Sequence, residues 1–439
     1  IVVRYPAGIE TDAYLQISDF LEGTMTAHWP PASSAYMGSF VWLGIRLLGS
    51  ADLGIFSYCL VQIILGSLVF SLSLTVMEEY GVPLFWRRLS LLVYALVPIY
   101  PGYISSVVKD GPYAVAVLLY ILLVARMILK EGVRIGQTLT LTLVGILVCI
   151  LRNNGIYLVG AILAALLIAS IVRRRPVHPN VSVSALAAAA FSMVYFYALI
   201  PALGIPSGSV AEALSMPFQQ TARLAAYHPE AMTDAEKDVI GEVLDLGVIE
   251  RDYDPVNVDP IKATYHGDTG ALIRYFGVWL GEGVRRPDVY LDAFLVNSSG
   301  FYYPDIRLSN SNVVSGIYSS IQNTRSVRFT DRGEDTRVAF RTFFSFVEGI
   351  PFVFPFVNIA IQLWIPVYLA IYALAAGKRR LLFLVIPSVI GMLVCLASPY
   401  YANNGARYAI PVVYANLFLL GIRVKDVVAG PCPAGLADE

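Results

Sequence analysis

The sequence predicts an all-α membrane protein, a polytopic bundle of helices that carries a mostly helical domain on one side. Of its 439 residues, 57% are hydrophobic and only 14% are charged, well below the roughly 25% of a soluble domain. The mean hydropathy is +0.64. Apolar runs of about 20 residues, the length that a bilayer span needs, recur along the chain. One long polar stretch interrupts them, which predicts a single large domain outside the membrane.

The candidate spans form two groups, one on each side of the polar stretch. They are predicted at residues 53–77, 89–108, 110–129, 137–151, 155–172, 183–203, 350–376, 381–398 and 407–422. The run 34–48 is short and contains Arg46, so we interpret it as a helix that lies in the membrane interface. The letters IVV before Arg4 are typical of the end of an apolar run, so we expect a further span to precede them.

The distribution of positive charge predicts the orientation. Short loops rich in Lys and Arg lie in the cytoplasm. If 34–48 does not cross the membrane, all the loops that are rich in Lys and Arg fall on one side. Their positive residues are Arg87 and Arg88, Lys130 and Arg134, Arg173 to Arg175, Lys378 to Arg380, and Arg423 and Lys425. If 34–48 crossed, the rule would fail at five successive loops. We therefore expect a multi-pass protein of the plasma (inner) membrane with its first loop and its polar domain outside the cytoplasm.

This orientation divides the chain into five regions. They are a first outer loop with interfacial helices at 1–52, spans at 53–203, an outer helical domain at 204–349, spans at 350–425 and a cytoplasmic tail at 426–439. In the outer domain, Thr233 and Glu236 have the spacing of a capping box, and Pro287 fits the first turn of a helix. The net charge of −1 gives no sign of a nucleic-acid partner, and we expect none.

The outer face combines acids and bases. Glu10 and Asp12 lie in the first loop, and Lys109, Arg152 and Arg407 each lie near the outer end of a predicted span. Single cations there oppose the charge bias, and ionisable groups at membrane depth indicate function; the alternative for each is snorkelling to lipid headgroups. Arg and Lys both bind phosphate. A carboxylate that accepts a proton from a hydroxyl, beside cations that stabilise a departing lipid phosphate, suits displacement of that phosphate.

The motifs around these residues resemble a known superfamily. The stretch HWPPASSAYMGSFVWLGIRLLG is similar to the His-Pro-Pro stretch of the GT-C glycosyltransferases, ETD at 10–12 fits their acidic motif in the first outer loop, and Lys109-Asp110 continues the match. SMPFQQTARLAAYHPEAMT and DPIKATY resemble motifs of a bacterial GT-C-like membrane family without an assigned substrate. The resemblance covers most of the chain. It implies a GT-C-type helical bundle and inverting sugar transfer from a polyprenyl-phosphate donor to an extracytoplasmic hydroxyl of an envelope glycan or lipid acceptor.

The resemblance also implies roles for individual residues. Asp12 would be the catalytic base, with an N-cap as the alternative role, and Glu10 would assist it. Lys109, Arg152, Arg407 and His28 would bind the donor phosphate, although a structural role for His28 is equally open. Substrate-binding roles would fall to four residues, against a solvated helix face as the alternative: Gln219, Gln220, Arg223 and Lys262.

Other interpretations remain open from the sequence. Two carboxylates make a loose site for a cation that prefers about six oxygens, so no obligatory cofactor is expected, with a divalent cation at Glu10 and Asp12 as the alternative. The tyrosines at 100, 103, 400 and 401 are expected to line the sugar pocket or to form a headgroup belt. The main rival function is a transporter or flippase of lipid-linked glycans, which Pro98 and Pro101 would favour by breaking a span. A transferase of phosphoglycerol-like or acyl groups is the second rival.

Overall fold

The computed structural model describes residues 5–129, 134–306, 325–331, 334–398 and 405–428. In these ranges the chain is helical, with one two-stranded sheet that pairs β1 (Gly8–Ile9) with β2 (Ser106–Val107). The helices before the outer domain are α1 Thr11–Glu22, α2 Pro31–Leu48, α3 Ala51–Glu79, α4 Leu84–Leu96, α5 Ile99–Ile104, α6 Asp110–Leu129, α7 Ile135–Leu151, α8 Gly155–Arg173 and α9 Pro179–Val194. A π-helical turn, Tyr195–Leu199, joins α9 to α10 (Ile200–Ala202).

The outer domain and the second group of spans complete the molecule. The domain contains α11 Ser215–Tyr227, α12 Asp234–Gly241, α13 Leu246–Asp252, α14 Asp259–Lys262, α15 Thr269–Arg285 and α16 Pro287–Tyr302. The remaining helices are α17 Glu334–Glu348, α18 Phe354–Val357, α19 Ile359–Ala375, α20 Arg379–Ala397 and α21 Ile410–Val428. Short 3₁₀ turns cover Val210–Leu214, Pro229–Ala231 and Gly405–Ala409.

The all-α membrane class is confirmed. Within the described ranges, six helical stretches are long and apolar enough to cross a bilayer, namely Ala51–Glu79, Asp110–Ile128, Gly155–Arg173, Pro179–Ala202, Arg379–Ala397 and Gly405–Val428. Two shorter apolar helices, α7 and α19, have 17 residues each. Their packing buries one large apolar core that runs through α3 to α9 and α19 to α21. The protein is therefore a multi-pass helical membrane protein.

The predicted span at 89–108 is not one continuous helix. α4 ends at Leu96, and Val97 then adopts an extended conformation with φ −79° and ψ 115°. A residue that precedes proline disfavours the helical region, and Pro98 follows Val97 directly. The chain then forms the short α5 and the strand β2. This break frees the backbone at 106–107 to pair with β1.

The tyrosines at 100 and 103 belong to the interior of the bundle. Both are fully buried. Tyr100 stacks on Tyr414 at a centroid distance of 5.5 Å, and the Tyr414 hydroxyl donates to the Tyr100 carbonyl at 3.0 Å. The prediction that these two residues line a sugar pocket or a headgroup belt is therefore wrong. Residues 400 and 401 lie outside the described ranges.

The outer domain has its own apolar core, around residues such as Phe218 and Tyr275. Its local signals are confirmed. The Thr233 side chain caps α12, and Glu236 bonds back to the Thr233 backbone N–H, which completes the capping box. Pro287 is the first residue of α16. The domain packs against the bundle through α16, which contacts α19 and α20.

Candidate active site

The two-residue pairing of β1 with β2 assembles the site. The strands are parallel, with Gly8 opposite Ser106 and Ile9 opposite Val107. The Glu10 N–H extends the ladder by donating to the Val107 carbonyl at 3.1 Å. Because α1 starts directly after β1 and α6 starts directly after β2, this register places the first acids of the chain beside the start of α6.

Glu10 caps α1. Its Oε2 accepts from the backbone N–H of Asp12 at 2.9 Å and of Ala13 at 3.4 Å. These are N–H groups that a helix start leaves without partners. The alternative that Asp12 is the N-cap is therefore wrong, since Asp12 lies in the first turn with its side chain free to point away from the backbone.

Arg407 lies at the centre of three carboxylates. It follows Gly405 in the 3₁₀ turn that precedes α21, and it is buried. One terminal nitrogen lies 3.1 Å from Glu10 Oε1, and the other donates to Asp12 Oδ2 at 2.8 Å. Its Nε lies 3.9 Å from Asp110 Oδ2. A single guanidinium thus joins residues from the first loop, the start of α6 and the start of α21.

Two further cations complete the cluster. Lys109 Nζ lies 3.8 Å from Asp12 Oδ2. Arg152 forms an ion pair with Asp110, and its guanidinium lies 4.7 Å from the ring centre of Tyr408. The structure therefore brings together Glu10, Asp12, Lys109, Arg152 and Arg407, the acids and bases that the sequence places on the outer face.

Asp110 is the member of the cluster that the sequence analysis did not assign to the site. It is fully buried between two arginines and links them electrostatically. Its adjacency to Lys109 was visible in the sequence. Asp110 is also the first residue of α6, where the helix dipole stabilises an acidic side chain. That signal identifies a helix start but does not indicate burial.

An open cavity of about 790 Å³ adjoins the cluster. One wall of it is formed by Asp12, Lys109, Arg152, Arg407 and His28, and Glu10 is not part of the lining. The opposite wall comes from the outer domain and includes Glu212, Asp259, Lys262 and Tyr265. The cavity thus separates a charged floor at the helix ends from a second charged wall.

His28 reaches the cavity through a tightly held turn. The Ala27 N–H donates to the Pro206 carbonyl at 2.7 Å. A Cβ on Gly208 would lie 2.8 Å from the His28 Cα, so only glycine allows this approach. The His28 ring also packs edge-on against Trp29 at 4.7 Å. This position of His28 is compatible with both expected roles, binding of the donor phosphate and a structural role in the loop.

The outer-domain residues divide into two groups. Lys262 lines the cavity and pairs with Glu212 at 2.8 Å and with Asp259 at 2.9 Å. The other three lie outside the cavity lining and make contacts within the domain. Gln219 donates to the Asp254 carbonyl at 2.7 Å, Gln220 to the Tyr290 carbonyl at 3.2 Å, and Arg223 pairs with Asp292. Their contacts tie α11 to α16 and to the 253–254 loop.

Electrostatics distinguishes the two acids of the first loop. Burial raises the pKa of Glu10 to about 7, although Arg407 opposes this shift. Burial also acts to raise the pKa of Asp12, but Arg407 and Lys109 together lower it below its usual value. Burial lowers the pKa of Lys109, against the attraction of Asp12. Asp12 is thus the ionised carboxylate that faces the cavity.

A narrow, mainly apolar crevice of about 10 Å³ adjoins the cavity inside the bundle. It shares Arg152, Asn154 and Tyr408 with the cavity. Its other lining residues come from α6, α8, α20 and α21, and they are mainly apolar: Tyr113, Val117, Leu158, Pro387, Ser388, Gly391, Val394, Pro411 and Val412. The charged cluster therefore lies where this small apolar crevice meets the open polar cavity.

Metal ligation has little support in the residues that converge here. Among the described residues, no group of three or more His, Cys, Asp or Glu side chains is placed to hold a metal ion. One oxygen of Glu10 caps α1 and the other faces Arg407. The metal requirement itself stays a prediction.

Together these features define a multi-pass helical membrane protein with an acid–base cluster at one end of its bundle. The chain belongs to DUF6020, a family of unknown function, whose model matches residues 22–425. Among solved structures, the chain is similar to the crystal structure of ArnT from Cupriavidus metallidurans bound to undecaprenyl phosphate. That similarity has a TM-score of 0.32 and 14% sequence identity, and it covers 96% of this chain and 75% of the other. No curated protein sequence matches the chain at a significant level.

Proposed function

We propose that this protein is a membrane glycosyltransferase of the GT-C type. It transfers a sugar from a polyprenyl-phosphate donor to a hydroxyl of an envelope glycan or lipid acceptor, on the extracytoplasmic side of the plasma membrane. The observation that carries the proposal is the position of Asp12. This carboxylate faces the open cavity while it contacts Arg407 and Lys109, and Arg152 beside them borders the apolar crevice.

The crevice and the cations suit the donor. A polyprenyl chain is apolar and would need α6, α8, α20 and α21 to separate along this crevice, whose volume is about 10 Å³ in this structure. Its phosphate would lie at the mouth of the crevice, within reach of Arg152, Lys109 and Arg407. Arginine offers bidentate donors to phosphate oxygens, and lysine offers a compact charge. These cations would stabilise the negative charge that the phosphate gains when its bond to the sugar breaks.

Asp12 would act as the general base. The acceptor oxygen attacks the anomeric carbon as the bond from that carbon to the phosphate oxygen breaks, and the acceptor proton passes to Asp12. Attack from the face opposite the leaving phosphate inverts the anomeric centre. The paired cations make Asp12 a weak base in the free protein. A donor phosphate would compete for Arg407 and Lys109, and the loss of their full attraction would raise the pKa of Asp12 toward a more effective value.

The opposite wall suits the acceptor. Tyr265 and the ion-paired Lys262, Glu212 and Asp259 face the floor across the cavity and offer hydrogen-bond donors and acceptors. Sugar hydroxyls are recognised by such groups. A soluble or lipid-linked acceptor would enter through the open side of the cavity. Gln219, Gln220 and Arg223 would support this wall through their contacts inside the domain.

No obligatory divalent cation is proposed. Glu10 is engaged by α1 and Arg407, which leaves Asp12 as the carboxylate open to the cavity, and one carboxylate is a poor site for a hard cation. Turnover that survives EDTA unchanged is the expected result. Loss of turnover that added Mg²⁺ or Mn²⁺ restores would overturn this part of the proposal.

The central experiment is Asp12→Asn in purified protein, supplied with polyprenyl-phosphate sugars and an envelope extract as acceptor. Release of polyprenyl phosphate is measured. We expect turnover to fall roughly 10²- to 10⁴-fold, the usual contribution of a general base. Asp19→Asn is the matched control, because Asp19 lies on the same helix but pairs with Arg325 at 3.0 Å, away from the cavity.

Two outcomes would contradict the proposal. Equal turnover in Asp12→Asn and wild type would show that Asp12 is not the base. Movement of the lipid-linked sugar between leaflets of reconstituted vesicles, without any sugar transfer, would favour the rival flippase.

A further inference from the structure

A second cavity lies at the opposite end of the bundle. It has a volume of about 200 Å³ and lies between the loop that joins α8 to α9 and the start of α20. Four arginines line it together with His178 and Phe383, namely Arg173, Arg175, Arg379 and Arg380. Two loops that are about 200 residues apart in sequence thus contribute arginines to the lining of one cavity.

The two helices that carry this cavity also reach the acid–base cluster. α8 begins three residues after Arg152, and α20 is followed by Ser398, which lines the first cavity. Each helix has 19 residues and is therefore about 28 Å long. That length matches the hydrocarbon thickness of a bilayer, about 30 Å. The second cavity therefore lies at the headgroup level of the other leaflet.

The positive charge of this cavity has no internal counterion. Within the described ranges, no carboxylate lies within 4 Å of any of the four arginines, whereas the nearby Asp426 pairs with Lys378 at 3.8 Å. α20 also starts with two arginines and no side-chain cap. Cations at the positive end of a helix dipole are unfavourable, and an anion there is favourable. An anion between the two loops would offset this unfavourable interaction.

The positive-inside rule alone does not explain why arginines from two loops line one cavity. That rule requires Lys and Arg in cytoplasmic loops but does not require the loops to converge. Arg88 and Arg134 satisfy the rule from other loops and do not line this cavity. A shared cavity is an additional feature of Arg173, Arg175, Arg379 and Arg380.

We infer that this cavity binds the phosphate group of an anionic phospholipid headgroup. Guanidinium groups from two sides can each form paired hydrogen bonds with phosphate oxygens. Ile168, Ile171 and Val172 are exposed on the adjoining turns of α8 and provide an apolar surface for the acyl chains. A free phosphate ester has the same headgroup chemistry but makes no use of this apolar surface, which favours the lipid.

His178 fits the same interpretation. Burial, with Arg380 and Arg173 nearby, lowers its pKa. The ring is therefore neutral at pH 7 and can donate one N–H to a phosphate without adding charge repulsion. The His178 ring also packs edge-on against the Phe383 ring, with 6.3 Å between the ring centres, at the wall of the cavity.

The test compares lipid retention in Arg379→Gln/Arg380→Gln and in Arg88→Gln/Arg134→Gln. The control removes the same charge from the same predicted side of the membrane. Full-length protein is exchanged into detergent with phosphatidylglycerol or phosphatidylcholine, and bound lipid is counted by native mass spectrometry. We expect wild type and control to retain phosphatidylglycerol over phosphatidylcholine, and the cavity variant to retain at least fivefold less phosphatidylglycerol. Arg173→Gln/Arg175→Gln should reproduce the loss from the other loop.

The outcomes are decisive in either direction. If the cavity variant and the control lose equal amounts of bound phosphatidylglycerol, lipid retention depends on general surface charge and the proposed site is wrong. Micromolar binding of inorganic pyrophosphate to wild type, with no preference between the two lipids, would overturn the lipid as the source of the phosphate. Size-exclusion profiles and thermal unfolding of each variant check the fold, and Arg379→Lys/Arg380→Lys, which keeps the charge, should retain an intermediate amount of lipid.

Discussion

At the scale of single residues, Arg407 determines whether the acids of the site are tolerated. It faces Glu10, Asp12 and Asp110 in a buried position. Removing one partner of a buried ion pair leaves uncompensated charge, which is more costly than the pair itself was favourable. The stability of the cluster and its proposed chemistry therefore depend on the same side chain.

Arg407→Gln should lower the free energy of unfolding by about 3–5 kcal/mol, because it leaves the buried Glu10 and Asp110 and the partly buried Asp12 without their shared cation. Adding Glu10→Gln to this variant should recover part of the loss, since one of those carboxyls is then neutral. Unfolding in mixed detergent micelles measures both. Strict additivity of the two substitutions, within about 0.5 kcal/mol, would show that Glu10 and Arg407 do not interact energetically.

Glu10 gives the protein a specific dependence on pH. Its pKa rises from 4.5 to about 7 on folding, so the folded state holds a proton that the unfolded state has released. Stability from this group is fully present below pH 4.5 and is lost as the pH rises to about 7, on the order of 3 kcal/mol. Glu10→Gln, measured by thermal unfolding across that range, should show a smaller decline than wild type. Glu242→Gln, an exposed carboxyl paired with Arg274, should retain the wild-type decline.

The sequence predicted the residue types of the cluster better than their contacts. Charge and topology placed Glu10, Asp12, Lys109, Arg152 and Arg407 on one face, because single cations at span ends are conspicuous. The division between Glu10 as the cap and Asp12 as the carboxylate that faces the cavity depends on where α1 begins, which Glu-x-Asp alone does not specify. Gln219 and its neighbours were assigned by motif resemblance, which does not distinguish a binding face from a packing face.

At the scale of elements, the connection from α7 to α8 positions Arg152. The Gly155 N–H donates to the Arg152 carbonyl at 2.8 Å and starts α8. A Cβ on Gly155 would lie 1.9 Å from the Val148 carbonyl oxygen. The close approach of α8 to the end of α7 therefore requires glycine at this position, and it holds Arg152 where it meets Asp110.

Gly155→Ala should destabilise the protein by several degrees in thermal unfolding and lower turnover at least tenfold, because α8 must shift and carry Arg152 with it. Gly160→Ala is the matched control on the same helix. No atom lies within 4 Å of the Cβ that it adds, and alanine favours helix over glycine by about 1 kcal/mol. If both substitutions behave alike, the tight contact at Gly155 has no consequence for the site.

The sequence predicted the elements accurately where hydrophobic runs are long. It predicted them poorly where the structure depends on the conformation of a few residues. The six long spans follow from continuous hydrophobic runs. The break at Val97 was signalled by Pro98 but was outweighed by the apolar residues around it. The β1–β2 pairing has two residues in each strand, which is too short for any alternation to show in the sequence.

At the scale of the whole molecule, the two charged cavities mark the two ends of the bundle. The acid–base cavity adjoins the outer domain, and the arginine cavity lies about one membrane thickness away along α8 and α20. The distribution of charge along the sequence predicted this asymmetry. It could not predict that either group of charges would surround a cavity, since that depends on how distant loops pack.

Single cysteines at the two ends should report opposite sides of the membrane. Ser207 is exposed at the start of the outer domain, and Ala376 is exposed directly after α19. Each is replaced by cysteine in a background where the tail Cys432 is replaced by alanine. In intact cells, a membrane-impermeant maleimide should label Ser207→Cys and leave Ala376→Cys unlabelled until the cells are lysed. The reverse pattern would place the proposed catalytic site in the cytoplasm and exclude a polyprenyl-phosphate donor presented outside.

The ion pair between Asp12 and Arg407 spans 395 positions of the chain. During biosynthesis, Asp12 emerges long before the ribosome reaches Arg407, so a partial product can pair this acid with Lys109 but not with Arg407. Insertion of α21 is therefore the event that closes the cluster. A nascent chain that stops short of Arg407 therefore leaves the buried Glu10 without its ion-pair partner.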